Sequence, residues 1–205
     1  MDEQHVIIEP ERIVTSTVIL RSWSPDDAAE ALEIYGDPAT AESIGRGRPV
    51  GDLAEMRETL VRWNLESSQS PVPQGLWAVE SAEDGRLLGG ATLLPFGPHD
   101  PQLVMGWHLR PTERGHGVAG LIGHALAHQA FHSGDVDEVF VVAGEENTGS
   151  LAVARRLGMT AVDAPSWTHR GVRLRVHRMS RDDLHKIRPG VSLDGSYDPD
   201  GLDDW

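Results

Sequence analysis

The heptapeptide Arg114-Gly115-His116-Gly117-Val118-Ala119-Gly120 has the residue types of an anion site made from main chain. It lies between an apolar run (Leu103, Val104, Met105, Trp107, Leu109) that reads as a strand and a helical pattern from Val118 to about His132. The first N–H groups of a helix have no internal acceptor and sit at the positive end of its dipole, so phosphate is attracted there. Glycine at 115 and 117 carries no Cβ to keep a phosphate off the backbone. Arg110 and Arg114 stand close enough in sequence to add charge. A tight strand–helix turn without a ligand would also use such glycines. The segment lacks the Gly-Lys-Ser/Thr of a nucleotide P-loop, and it is not expected to be a dinucleotide fingerprint.

His124, His128 and His132 recur every four residues along the helix that follows, so they share one stripe. Two imidazoles at that spacing can bind zinc, but a structural site takes four ligands and a catalytic site three. With no cysteine to complete a set, the stripe reads as a solvated or sheet-edge face, and no metal is expected.

The elements that must position these residues follow from pattern. Thr17–Trp23 reads as a strand, and His5–Ile8 as a short one before it. Ser24-Pro25-Asp26-Asp27 starts a helix with an N-cap, a first-position proline and acids in the first turn, and Gly36-Asp37-Pro38 stops it. Ile44–Pro49 is a basic loop, either a solvated connection or an acceptor-side lid. Asp52-Leu53-Ala54-Glu55 opens a helix reaching about Ser67. Leu76–Glu80 and Leu87–Leu94 form a hairpin whose Gly89-Gly90 marks a bulge or a close backbone approach. After the central helix come a strand at Val136–Ala143, a short helix through Leu157, and strands at Ala161-Val162 and Val172–Met179. Strands alternating with helices behind an antiparallel hairpin give a mixed α/β sheet.

Composition narrows the partners. The 205 residues suffice for one domain, expected over 1–188, with an acidic, disordered tail at 189–205. No apolar run reaches the ~20 residues that span a bilayer, and the acidic N-terminus is unlike a signal peptide. A net charge of −14 argues against nucleic acid, though it suits a cationic substrate. A cytoplasmic protein without disulfides is expected, a homodimer being compatible.

Arg-Gly-x-Gly-x-Ala at a helix start, then a strand, then Asn147-x-x-Ser150 and Leu157-Gly158-Met159, resembles the GNAT superfamily of acyl-CoA N-acyltransferases. Within it the chain is most similar to the branch containing the ribosomal-protein N-terminal acetyltransferases. The resemblance runs from about Thr17 to Met179, with its specific motifs confined to Gly106–Met159. It implies an α+β fold: a mixed, mostly antiparallel sheet, flanked by helices and splayed between its central strands, with acetyl-CoA in the cleft. It implies a diphosphate on the amides of Arg114, Gly115, His116, Gly117, Val118, Ala119 and Gly120, and the pantetheine arm along Trp107, Leu109 and Arg110. Asn147 would also face the cofactor.

Acetyl transfer to an amine further needs a base and a way to stabilise the leaving thiolate. Relatives often place a glutamate two residues before the glycine of the central strand, where this chain has Val104. The carboxylate that ribosomal-protein acetyltransferases use before the last hairpin turn is missing too, with Trp167 nearby. His108, on the strand face shared by Val104 and Gly106, is the candidate base, and an unperturbed imidazole titrates near ~6.5. A water chain ending at Glu145 or Glu146 is the alternative. Many relatives protonate the thiolate with a tyrosine seven residues after the motif asparagine; here that position is Ala154, and the resemblance offers Ser150 instead. The implied reaction is direct acetyl transfer from acetyl-CoA to a primary amine, on a protein N-terminus or a small cationic molecule. A non-catalytic acyl-CoA-binding module and an unrelated phosphate-binding domain are the rival readings.

Overall fold

The computed structural model describes residues 6–9, 12–44, 47–71, 73–96, 102–132, 135–162, 168–169 and 171–186. The expected tail at 189–205 and the position of Trp167 lie outside them. The strands are β1 (Ile7–Glu9), β2 (Arg12–Val14), β3 (Val18–Arg21), β4 (Gly75–Ser81), β5 (Leu87–Pro95), β6 (Leu103–Leu109), β7 (Glu138–Gly144), β8 (Thr160–Ala161), β9 (Thr168–His169) and β10 (Val172–Ser180). The helices are α1 (Ala28–Tyr35), α2 (Pro38–Ser43), α3 (Leu53–Gln69), α4 (Val118–His132) and α5 (Thr148–Arg156). The sheet runs β1-β2-β3-β4-β5-β6-β7-β10-β8, with β9 against β10. Every described pairing is antiparallel except that of β6 with β7. This is the mixed, mostly antiparallel sheet that the resemblance implies.

Local chemistry accounts for the elements on the first face. The Ser24 hydroxyl accepts from the Asp26 amide, Asp27 accepts from the Ser24 amide at 2.7 Å, and Pro25 pre-sets the first turn of a short 3-10 segment leading into α1. Gly36 ends α1, but the chain does not leave the helix layer. The Asp37 carboxylate accepts from Ala39 N and, with Pro38 at the first position, starts α2, so the residues read as a stop are also a start. β2, α2 and β9 were not anticipated; each is shorter than a periodic pattern can reveal. α3 begins at an Asp52 cap, whose side chain accepts from Glu55 N at 2.9 Å.

Alternation along the strands divides the interior into two cores. Trp77, Val79, Leu88, Leu93, Leu103 and Met105 point to α4 and its Leu121, Ile122, Ala125 and Leu126. Ala78 and Leu87 point the other way, to Trp23, Ile34, Tyr35, Met56 and Leu60 of the α1–α3 layer. At the hairpin, the register shifts so that Val79 faces Gly89 while Glu80 faces Leu87, which is the expected bulge.

Candidate active site

β6 and β7 are hydrogen-bonded through Leu103↔Val139 and Val104↔Phe140, and then they part. β7 stays with β10 as far as Gly144, whereas β6 stays with β5 as far as Gly89↔Leu109. The central strands are therefore pulled apart by their outer neighbours, and the sheet splays. Arg110 N donates to Leu88 O at 3.0 Å, which fixes the phase of the β5–β6 ladder. In an antiparallel pair such bonds recur at every second residue. The main-chain groups of Gly106 and His108 accordingly face β5, and those of Trp107 and Leu109 face the gap that β7 leaves.

Trp107 and Leu109 thus line the groove with main chain, while their side chains pack against the α4 core. Arg110 does not face it. Its amide is taken by Leu88, and its guanidinium reaches Glu30 at 2.8 Å and Glu33 at 2.8 Å on α1. Arg114 is similarly held on α2, by Asp37 at 2.9 Å and the Thr40 hydroxyl at 3.2 Å. The Arg114 guanidinium keeps the Asp37 carboxyl below the usual carboxylate range. Both arginines brace the turn against the helix layer, and their charge is shared with carboxylates.

The turn itself leaves β6 through a 3-10 segment, Pro111–Glu113, whose Glu113 carboxylate is clipped by Arg86 and Thr112. Gly115 and Gly117 then adopt φ of +85° and +78°, the left-handed region that residues with a Cβ avoid. The amides of residues 115–119 have no acceptor among the described residues, whereas those of Gly120 and Leu121 return to Gly117 O. Successive N–H groups left free at the positive end of a fifteen-residue helix are a donor arrangement that can hold an anion. Gly115, Gly117 and Gly120 have the offsets of a dinucleotide fingerprint, so glycine spacing alone does not set this turn apart from one. Topology separates the two: that fingerprint belongs to an open, mostly parallel sheet, and here β6 and β7 are a parallel pair in an antiparallel surround.

His108 is half-buried on the opposite face of β6 from Trp107. Its Nδ1 lies 3.3 Å from the Tyr35 hydroxyl, and the two rings meet edge-on with centroids 5.6 Å apart. Tyr35 packs in turn against Trp63 at 4.7 Å and Trp23 at 6.0 Å. Burial pushes the His108 pKa down to about 4, well below the value near ~6.5 expected of an unperturbed ring. The imidazole is therefore neutral at neutral pH. Nothing in the spacing of Tyr35 along its helix pairs it with a residue so far along the chain.

Asn147 caps α5, its Oδ1 accepting from Ser150 N at 3.1 Å. The Ser150 hydroxyl is half-buried and has no partner among the described residues. Because β6 and β7 are parallel, the turn after Leu109 and the α5 start after Gly144 both lie at the open end of the splay. Ala154 is buried in the core beside α4, where a tyrosine would not fit. Of the alternative carboxylates, Glu145 is paired with Arg175 and Glu146 is exposed. The histidine stripe departs from its reading as a solvated or sheet-edge face. His124 is buried, His128 stacks edge-on against it at 4.6 Å, and His132 is exposed. Desolvation first, and the neighbouring His128 second, push the His124 pKa down to about 4.

A family model described as an acetyltransferase (GNAT) domain matches residues 17–160. No curated protein sequence gives a significant match. Among solved structures, the chain is similar to RimL, a ribosomal L7/L12 alpha-N-protein acetyltransferase in complex with coenzyme A. The TM-score is 0.70 at 17% identity, covering 87% of this chain and 99% of that one. It is also similar to a GNAT-family acetyltransferase from Bacillus anthracis (0.69, 15% identity, covering 83% and 99%). An acetyltransferase from Agrobacterium tumefaciens aligns with a TM-score of 0.67 at 19% identity, covering 88% and 100%. At such identities the likeness is one of fold.

Proposed function

The chain belongs to the GNAT acetyltransferase family, and from that premise we propose that it moves an acetyl group from acetyl-CoA to the primary amine of a peptide N-terminus or small molecule. The observation that carries this reading is the splay of β6 from β7, ending at amides 115–119 that no described residue satisfies. Those donors suit the diphosphate of coenzyme A, and the free edge of Trp107 and Leu109 suits the amide-bearing pantetheine arm. The thioester carbonyl then lies along β6, and the amine approaches from the α1–α3 face, where His108 stands.

The low His108 pKa shapes the chemistry. Burial disfavours the charged ring, so taking a proton from a free α-ammonium near ~8 is uphill, and from a lysine-type ammonium near ~10.4 more so. His108 therefore serves best after attack. The amine lone pair bonds to the carbonyl carbon, the nitrogen becomes acidic, and Nε2 takes its proton as the C–S bond breaks. Ser150 donates a hydrogen bond to the departing thiolate. An acceptor already partly neutral near pH 8 is favoured, which is an α-amine over a lysine side chain. RimL acts on a protein α-amine by its printed name, and this agrees with the preference without establishing it.

Thiol release from acetyl-CoA, measured over peptides with free N-termini, Nα-blocked lysine peptides and polyamines, tests the reading. Release is expected with free α-amines first. Tight CoA binding with no amine-dependent release would instead support a non-catalytic acyl-CoA module.

A further inference from the structure

We propose that Tyr35 is a positioning residue for His108: its phenolic oxygen accepts a hydrogen bond from Nδ1–H and so keeps the lone pair on Nε2. The inference rests on the reading of His108 as base. A neutral imidazole carries one N–H and one lone pair, and the partner of one nitrogen decides which nitrogen keeps the proton. If the phenol donated to Nδ1, the proton would sit on Nε2 and no base would face the acceptor.

The neighbourhood is built for this contact. The β5 residue directly opposite His108 is Gly90. A Cβ there would lie 2.1 Å from the Tyr35 hydroxyl oxygen and 2.9 Å from the Trp23 ring. Tyr35, on α1, thus reaches the strand pair through a notch that any side chain at residue 90 would fill. The phenol is then fixed by its surroundings. It is 2% exposed, with Trp23 and Trp63 against its ring. The Trp23 backbone is itself clamped at N–H and C=O by the Asn64 side chain of α3. On the far side of the imidazole, Nε2 lies 3.9 Å from where a Cβ of residue 106 would be. That is van der Waals distance, so the glycine leaves room beside the nitrogen. A phenolic oxygen has two lone pairs, so it can take Nδ1–H while its own proton is donated elsewhere.

The proton inventory closes. In the tetrahedral intermediate the acceptor N–H bond breaks and an Nε2–H bond forms, giving an imidazolium whose Nδ1–H still points at Tyr35. When the C–S bond has broken, that Nε2 proton passes to the thiolate or to solvent, and the neutral ring is restored.

The test is nitrogen NMR on the full chain with ¹⁵N-labelled histidine, alongside the kinetics of Tyr35→Phe and Gly90→Ala. In the wild-type protein at neutral pH, Nδ1 should show the protonated signature of His108 and Nε2 the lone-pair signature. Tyr35→Phe should mix the tautomers and lower kcat by about ten- to a hundredfold, by analogy with partners that orient a metal-bound histidine. The KM for the amine and the affinity for CoA should stay unchanged. Gly90→Ala, which evicts the phenol from the opposite strand, should mix the tautomers likewise. A protonated Nε2 in the wild type, or a full kcat in a folded Tyr35→Phe protein, would overturn the proposal. If either variant fails to fold, the wild-type spectrum alone decides. His108→Ala separates the two levels: a full rate there removes the base, whatever tautomer the spectrum reports.

Discussion

The two sides of β6 offer different chemistry to a ligand. Toward the splay, the groups on offer are main-chain amides: the edge of Trp107 and Leu109, and the turn at residues 115–119. Toward α1–α3, they are side chains, with Tyr35, Trp23 and Trp63 packed around His108. The first surface is nearly indifferent to which side chains flank it, so long as glycine permits the backbone. The second depends on four aromatic or heteroaromatic rings brought together from three separate elements and the segment before α1. A site that must bind one invariant co-substrate can be written in backbone. A site that must choose an acceptor and move a proton cannot.

The largest effect should come from the side-chain half. His108→Ala removes the proposed base, and loss of general-base catalysis typically costs ~10²–10⁴ in rate. We expect kcat to fall within that range while the CoA dissociation constant, measured by calorimetry, stays within about threefold. An equal loss in CoA affinity would mean that the two surfaces are not separable.

Acid should act on both halves, since each carries one imidazole pushed down to about 4: His108 on β6 and His124 on α4. A histidine whose folded pKa is depressed contributes stability that is whole above ~6.5 and lost as pH falls through the folded value near 4. For the well-buried His124 the loss between those limits is of order 3 kcal/mol. Urea unfolding followed from pH 7 to pH 4 should show this fall. His124→Leu should flatten the slope by one group's share, and at pH 7 it should cost little, because Nδ1 of His124 has no partner among the described residues. An unchanged slope would mean that this ring is not held neutral by burial.

Gly117→Val strikes the main-chain half. A β-branched residue at φ +78° is strained by roughly 1–3 kcal/mol, and relief of that strain would turn the amides away from the diphosphate. CoA affinity should fall by about tenfold or more, with the amine KM unaltered once CoA is saturating. Unchanged affinity would remove the turn as the anion site.

This contrast also explains what could be read in advance. The main-chain half was legible because it is local: strand, glycine-bearing turn and helix lie between Leu103 and His132, and the amides follow from their order. The helix cap at Ser24 and the bulge at Gly89 were legible for the same reason. Tyr35 and His108 are separated by 73 positions, and their contact depends on Gly90 from a third element, so no window of sequence contains it. The displaced pKa was hidden for a related cause. Desolvation is a property of the packed cluster, and a histidine in an apolar run gives no sign of what will cover it. Arg110 and Arg114 looked available for phosphate because Glu30, Glu33 and Asp37, their partners, lie far upstream.

The smallest effect is expected at Ser150, and its size follows from acid–base chemistry. A thiol titrates near ~8.5 in an unperturbed setting, so at neutral pH the departing thiolate is a weak base whose protonation water can readily supply. A hydroxyl there need not transfer a proton; it only stabilises developing charge, and a hydrogen bond to a charged group contributes about 1.5–3 kcal/mol at most. The Ser150 hydroxyl is half-exposed, so solvent replaces part of that when it is removed. The backbone is undisturbed, because the Asn147 cap bonds the Ser150 amide and not its side chain. Ser150→Ala should therefore lower kcat by roughly tenfold or less without altering CoA affinity or unfolding free energy. The loss should shrink further as the pH drops below the thiol range and solvent takes over the protonation. A loss as large as that of His108→Ala would reverse the comparison, making the α5 side-chain hydroxyl, and not the imidazole across β6, the group on which proton movement depends.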